Sequence, residues 1–388
     1  MEKNWKNPPL LAGWLNEEKI NEQKQMNLLY DYLFNNLELS KDEIENIKID
    51  SISDEVKYRL TKKRIKQLGI FISASCNLRC KYCYANSGKV VNNELTIKEY
   101  FKIIDQVSEL GVEVLRIPGH GETMMDSKFF DGKKFPIIDY ANEKGIHVIF
   151  FTNGTRISER IAKILFKKDV SIITKLNSFN SEIQDNLAGV RGVSKKIYNG
   201  LKNLINIGFN ESSPSRLGIE SIICEQNIDE IETIFFYARE RNIIPHIGVL
   251  THSGRAHDFV SELDVTFDQK RSIFNKILKE DRMRFNFDWE PTPPYMSGQQ
   301  CSGLFYEIFI DSVGNVVPCS GIKFPIGNIR VEAIGDIMNK EDSIKLRHID
   351  RFIGHPCNKC MNKECKYGCL LETYNMQKNL FQGYPSCF

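Results

Sequence analysis

Apolar and polar positions change their rhythm near residue 68. Upstream, residues 1–66 are polar, and Met26, Leu28, Leu29, Tyr30, Leu33 and Phe34 recur at roughly helical spacing over 21–37. Ser40 followed by Glu43 has the form of a capping box for a second short helix. Downstream, short β-rich runs alternate with amphipathic stretches. The runs lie at 68–73, 112–117, 147–151, 170–176, 217–224 and 244–250, and the helical stretches at 96–110, 136–144, 158–167, 194–207 and 228–240. Such β–α repeats predict a parallel sheet, closed or half-closed, with loops gathered at the strand C-termini. A loop-rich stretch over 289–300, with Pro291, Pro293 and Pro294, reads as a linker. The expected class is α/β, with a helical extension over 1–66, a core over 67–290 and a further domain over 291–388.

Composition narrows this little. With 41% hydrophobic and 26% charged residues the 388-residue chain reads as an ordinary globular protein. A net charge of +2 supplies no field for nucleic acid or an acidic membrane surface. The N-terminus, MEKNWKNPPLLAGWLNEEK, lacks a basic segment followed by a long apolar one, and no apolar run reaches the ~18–20 residues that span a bilayer. The expected location is therefore cytoplasmic, without a membrane partner.

The cysteines change the picture more. There are 11 in the chain, and in a reducing compartment metal or catalytic roles gain weight over disulfides. Cys76, Cys80 and Cys83 crowd together, seven lie between Cys301 and Cys387, and Cys224 stands alone. The first group, Cys76-Asn-Leu-Arg-Cys80-Lys-Tyr-Cys83, directly follows the first predicted strand. Three thiolates on a four-iron cube leave one iron open to chelate a small molecule. A structural zinc site would want a fourth ligand nearby, and this loop has no further Cys, His or Asp.

The Cys-x3-Cys-x-aromatic-Cys pattern, with Tyr82 in the aromatic slot, resembles the radical S-adenosylmethionine (radical SAM) superfamily. The resemblance covers about residues 68–388. It implies a partial (β/α)6 TIM-like barrel and a 4Fe–4S cluster whose open iron binds S-adenosylmethionine (SAM). It also implies reductive cleavage of SAM to a 5′-deoxyadenosyl radical, fed by a flavodoxin- or ferredoxin-type electron donor. Gly119-His120-Gly121-Glu122 resembles the family's Gly-Gly-Glu motif, which gives Glu122 the methionyl amine. His120 stands where a Gly is usual, and is either a substrate-facing group or a solvated loop histidine. Phe151-Thr152-Asn153-Gly154-Thr155 is a turn common in the family. Lys175-Leu176-Asn177-Ser178 stands where many relatives carry Ser-Leu-Asp-Gly, so Lys175 is a candidate for the methionyl carboxylate. Arg191 is a second candidate, or a surface cation.

The second group reads Cys301-x12-Gly314-x4-Cys319, Cys357-x2-Cys360-x4-Cys365-x3-Cys369 and Cys387. Seven thiols exceed one zinc site and fall one short of two four-thiolate sites. The pattern resembles the SPASM domain, which implies two auxiliary iron–sulfur clusters. By that resemblance Cys357, Cys360, Cys365 and Cys387 hold the distal cluster, and Cys301, Cys319 and Cys369 the proximal one. Gly314 and Gly368 suit tight turns near them. Sulfatase-maturing relatives have a catalytic Asp after the second of these cysteines; Ser320 stands there, which argues against that mechanism. The segments 251–256 and 289–291 also resemble peptide-modifying SPASM enzymes.

Cys224 ends the fifth predicted strand, with Glu220 and Ile222 four and two positions earlier on the same face. A thiol facing the active site could donate a hydrogen atom; a small buried hydrophobe is the alternative. The expected function is hydrogen abstraction from an unreactive C–H bond of a peptide or small natural-product intermediate. Oxidation, cross-linking or decarboxylation would follow. The rivals are a radical epimerase using Cys224 and a non-catalytic iron–sulfur electron carrier.

Overall fold

The computed structural model describes residues 65, 67–212, 215–287, 289, 297, 307–347, 349–361 and 367–384. The expected N-terminal helices, Cys301, Cys365, Cys387 and all of the linker except Trp289 and Ser297 lie outside the described residues.

The repeats form β1 (Gln67–Ile70), β2 (Val114–Ile117), β3 (His147–Thr152), β4 (Ser171–Lys175), β5 (Leu217–Ile223) and β6 (Ile244–Val249). They pair in parallel and in chain order, as right-handed β–α units demand. The intervening helices are α1 (Ile97–Glu109), α2 (Pro136–Glu143), α3 (Glu159–Lys167), α4 (Ser181–Ala188), α5 (Ser194–Ile207) and α6 (Ile231–Glu240). Strand faces divide the core in two. Leu115, Ile117, Val148, Phe150, Ile172 and Ile219 meet the helices. Val114, Ile149, Phe151, Ile173 and Ile244 pack together as a separate inner cluster. Burial on both faces explains why these strands read as nearly continuous apolar runs.

Local chemistry sets the helix ends. Thr96 caps α1 with a reciprocal capping box to Glu99, and Tyr100, Ile103, Ile104 and Val107 put one face at helical spacing into the core. Gly189 and Gly208, both left-handed, end α4 and α5.

Sequence patterning missed α4 and a further helix, α7 (Phe267–Glu280). It also missed the way the sheet continues. Past the expected boundary at 290, β7 (Glu307–Ile310) pairs in parallel with β1. β8 (Asn315–Val317) and β9 (Gly327–Asn328) then extend the edge antiparallel. Among the described residues the sheet has nine strands, in the order β6-β5-β4-β3-β2-β1-β7-β8-β9. The C-terminal region also docks on α1: Arg330 Nε lies 2.6 Å from Glu99 Oε1, and Ile334 N donates to Gln106 Oε1 at 2.9 Å. No helix among the described residues is long and apolar enough to cross a membrane.

Candidate radical SAM site

The loop after β1 holds Cys76, Cys80 and Cys83, and all three line one cavity with Tyr82, Glu122, Asn153, Lys175 and Glu220. The cavity has a volume of about 130 Å³. Its wall is drawn from the C-terminal ends of β1 through β6, where a parallel barrel gathers its loops.

Backbone contacts hold this loop in place. Arg79 N donates to Ala188 O at 3.1 Å and Lys81 N to Leu187 O at 3.0 Å, so the end of α4 carries the stretch between the cysteines. Gly189 is required there: a Cβ would fall 2.2 Å from Arg79 O. On the other side Glu122 N donates to Ser75 O at 2.8 Å, and a Cβ on Gly121 would meet that same oxygen at 2.2 Å. The Gly at 121 is therefore a packing requirement.

Two amides point at sulfur: Leu78 N at 3.4 Å from Cys76 Sγ and Ser87 N at 3.5 Å from Cys83 Sγ. Burial pushes the Cys76 thiol up to about 12. Burial likewise raises Cys80, to about 11, against the pull of Tyr82, Lys175 and Arg255. Both are thiols at neutral pH, so a bound iron must displace their protons. Three soft donors on one wall, with amides aimed at their sulfurs, fit a four-iron cluster with one iron open to the cavity.

Glu122 is almost fully buried. Its Oε1 accepts from Thr152 Oγ1 at 2.7 Å and Met124 N at 3.2 Å, and its Oε2 from Asn153 N at 2.7 Å. Burial raises its pKa in spite of these bonds. Asn153 Nδ2 donates to Asn77 Oδ1 at 2.9 Å and so ties the β3 turn to the cysteine loop. Lys175 and Glu220 are direct neighbours across β4 and β5, and Lys175 Nζ lies 2.5 Å from Glu220 Oε2. Burial would raise the Glu220 carboxyl, but Lys175 and then His246 outweigh it and hold it at about 2. Lys175 thus reaches the cavity with its charge already partnered.

Three expected site residues lie elsewhere. His120 does not line this cavity. It stacks on Phe71 at 4.1 Å and faces a second, larger cavity of about 450 Å³, with Ser253, Asp311 and Ser320. Burial pushes its imidazole down to about 4. Tyr84 lines both cavities. Arg191 is exposed beyond α4 and lines neither cavity. Cys224 is fully buried among Tyr82, Leu187, Leu250, Ala256 and Leu263. The period-two reading holds for Glu220 and Ile222, which reach the cavity. It fails at Cys224 because β5 ends at Ile223 and Cys224 N turns to Asn227 Oδ1 at 2.7 Å.

Of the C-terminal cysteines, Cys319, Cys357, Cys360 and Cys369 are described, and none is in a disulfide. Tyr384 N donates to Cys357 Sγ at 3.1 Å. Burial raises the Cys319 thiol, while the Gly321 amide and Ser320 hydroxyl pull it down. Sequence reasoning assigned no role to Arg255, although its segment was singled out. Arg255 bonds the cysteine loop at three carbonyls.

Comparison with known proteins gives the family. Residues 70–238 match the radical SAM superfamily and residues 301–361 the SPASM iron–sulfur cluster-binding domain. The chain is 29% identical to mycofactocin maturase MftC of Mycolicibacterium smegmatis over 269 residues, 66% of each chain. It is 25% identical to the AdoMet-dependent heme synthase of Methanosarcina barkeri over 341 residues, 81% of this chain and 94% of that one. Streptococcus suis SuiB, solved with its precursor peptide SuiA, shares the fold. Its TM-score is 0.65 at 18% identity, over 85% of this chain and 78% of SuiB. The cofactors are accordingly a 4Fe–4S cluster, SAM and auxiliary iron–sulfur clusters. The chain belongs to the radical SAM superfamily and carries a SPASM domain.

Proposed function

We propose that this enzyme abstracts hydrogen from an unreactive C–H bond of a natural-product intermediate, either a peptide or a small molecule. Net oxidation, by desaturation, cross-linking or decarboxylation, follows. One observation carries the reading: Cys76, Cys80, Cys83 and Glu122 share the wall of one buried cavity at the strand C-termini. When bound, the cluster supplies the electron that splits SAM into methionine and a 5′-deoxyadenosyl radical.

The chain's own residues bind and orient. Cys76, Cys80 and Cys83 hold three irons and leave the fourth open. Glu122, locked by Thr152, Asn153 and Met124, presents a carboxylate to the methionyl amine. Tyr82, Ile222 and Phe151 close the cavity with apolar surface, which limits water around a reactive carbon centre. The Lys175–Glu220 pair contributes polar contacts to SAM or substrate. The SPASM cysteines would hold auxiliary clusters, and these would supply an acceptor for the electron given up in an oxidation. The relatives' names, a maturase and a heme synthase, support a biosynthetic substrate and leave its size open.

No observation favours the epimerase, since Cys224 is walled off from the cavity. The test is anaerobic reconstitution followed by assay of 5′-deoxyadenosine with a strong reductant or a flavodoxin-type donor. Formation of 5′-deoxyadenosine that requires all three cysteines is expected. Zinc in place of iron, or no cleavage by the iron-loaded protein, would overturn the proposal.

A further inference from the structure

The β6 loop crosses the mouth of the barrel to the cysteine loop and fastens it through one residue. Arg255 N donates to Cys83 O at 2.9 Å, and Ala256 N shares that oxygen at 3.3 Å. The Arg255 guanidinium donates to Cys80 O at 3.0 Å through Nη1 and to Ser87 O at 2.7 Å through Nη2. Ser87 in turn directs its amide at Cys83 Sγ. Close approach depends on Gly254, which is left-handed at φ +58 and would place a Cβ 2.3 Å from Tyr84 O. A larger residue would push the arginine off the loop.

We infer that Arg255 is a positioning residue for the 4Fe–4S cluster: it clamps the ligand loop and stabilises the cluster's reduced form. The clamp follows from the three carbonyls, which belong to Cys80 and Cys83, two of the three ligands, and to Ser87, whose amide points at Cys83 Sγ. The redox effect follows from charge. Reduction adds an electron to a cluster already bearing three thiolates, and a fixed cation at short range favours that state in a partly buried site. Lys175 is paired with Glu220, whereas the guanidinium of Arg255 is bonded to neutral carbonyls and meets no carboxylate among the described residues. Only a planar, forked donor reaches Cys80 O and Ser87 O together; a lysine would keep the charge and lose the fork.

The inference rests on Cys76, Cys80 and Cys83 being the cluster ligands, and the experiment separates the two. The full-length protein is reconstituted anaerobically as wild type, Cys80→Ala, Arg255→Gln and Arg255→Lys. Iron and sulfide content, the rate of bleaching by a chelator, and the midpoint potential of the SAM-responsive EPR signal are measured. Cys80→Ala loses that signal if the ligand assignment holds. Arg255→Gln is expected to bleach about tenfold faster, as loss of charge-assisted bonds implies, with its potential shifted more negative. Arg255→Lys is expected to bleach faster with its potential near wild type, a split that general loosening would not produce. Bleaching rates and potentials unchanged in both Arg255 variants, with the signal absent in Cys80→Ala, would overturn the inference alone. If Arg255→Gln fails to fold, Arg255→Lys decides the clamp by its bleaching rate.

Discussion

Replacing Glu122 by Gln tests the SAM site at its most constrained point. The carboxylate uses both oxygens, accepting from Thr152 and Met124 on one and from Asn153 on the other. An amide has one acceptor oxygen, so in either orientation its NH2 group faces a protein donor. Leaving one buried donor unsatisfied costs about 1–3 kcal/mol, and the charge available to an ammonium is lost as well. A loss of about 2–3 kcal/mol in SAM binding corresponds to roughly 30- to 150-fold in Kd. The assay is SAM titration of the reconstituted protein under anaerobic conditions, with iron content and thermal melting as controls. A Kd within about threefold of wild type, with both controls unchanged, would refute the role given to Glu122. The pH dependence has a definite sign. Burial raises the Glu122 pKa, so its ionised form is withdrawn as pH falls through a value above the ordinary carboxylate range. SAM affinity falls with it. The fold without SAM runs the other way: a raised acid pKa contributes stability at low pH that is lost as pH rises through it.

Three further outcomes are expected. Glu220→Gln strands Lys175 and should cost about 1–3 kcal/mol in urea unfolding, between the exposed-pair and buried-pair ranges because both side chains keep some solvent contact. In the wild type that contribution is present above the ordinary Glu value of 4.5 and fades as pH falls towards about 2, which stability measured against pH should reproduce. Cys224→Ala should leave product and solvent deuterium uptake unchanged, since the thiol lies behind the cavity wall; a changed product would revive the epimerase. Asp281→Asn breaks a buried network in which Arg239 donates twice at 2.7 Å and Trp289 Nε1 once at 3.0 Å. It should cost about 3–5 kcal/mol of stability without changing the SAM Kd of the folded fraction.

The repeats were legible because each strand is buried on both faces and each helix on one, so their periods differ along the chain. Where the period was weak, the elements were missed. α4 buries only Gln184, Leu187 and Ala188, too few for a stripe, and it is held by the Asn180 cap and the Gly189 turn. β7 is only four residues long and takes its place from pairing with β1, a contact across more than 200 residues. At the site, the cysteine and Glu122 motifs could be picked out because their spacing is local. His120 and Arg191 each kept two readings because a loop residue's direction depends on what the loop packs against. Phe71 captures the His120 ring, and nothing draws Arg191 inward.

The cysteine loop itself shows why spacing alone could not supply the site. Its stretch from Ser75 to Ser87 has no strand or helix of its own to fix it. Its conformation is set instead by partners at Glu122, Leu187, Ala188 and Arg255, drawn from three separate β–α units. Each is a bond to a main-chain oxygen or amide beside a ligand, and two of the approaches need a glycine, at 121 and 189, where a Cβ would collide. These bonds are the protein's own, so with or without iron they hold the three cysteines on one cavity wall, and burial keeps two of the thiols protonated until iron displaces the proton. Loading then gains affinity from preorganisation and loses some to proton release, so iron uptake must become more favourable as pH rises. A loop ordered only by the metal would show the same pH trend but would also gain chain order on loading; here protease resistance of the loop should change little between empty and loaded protein.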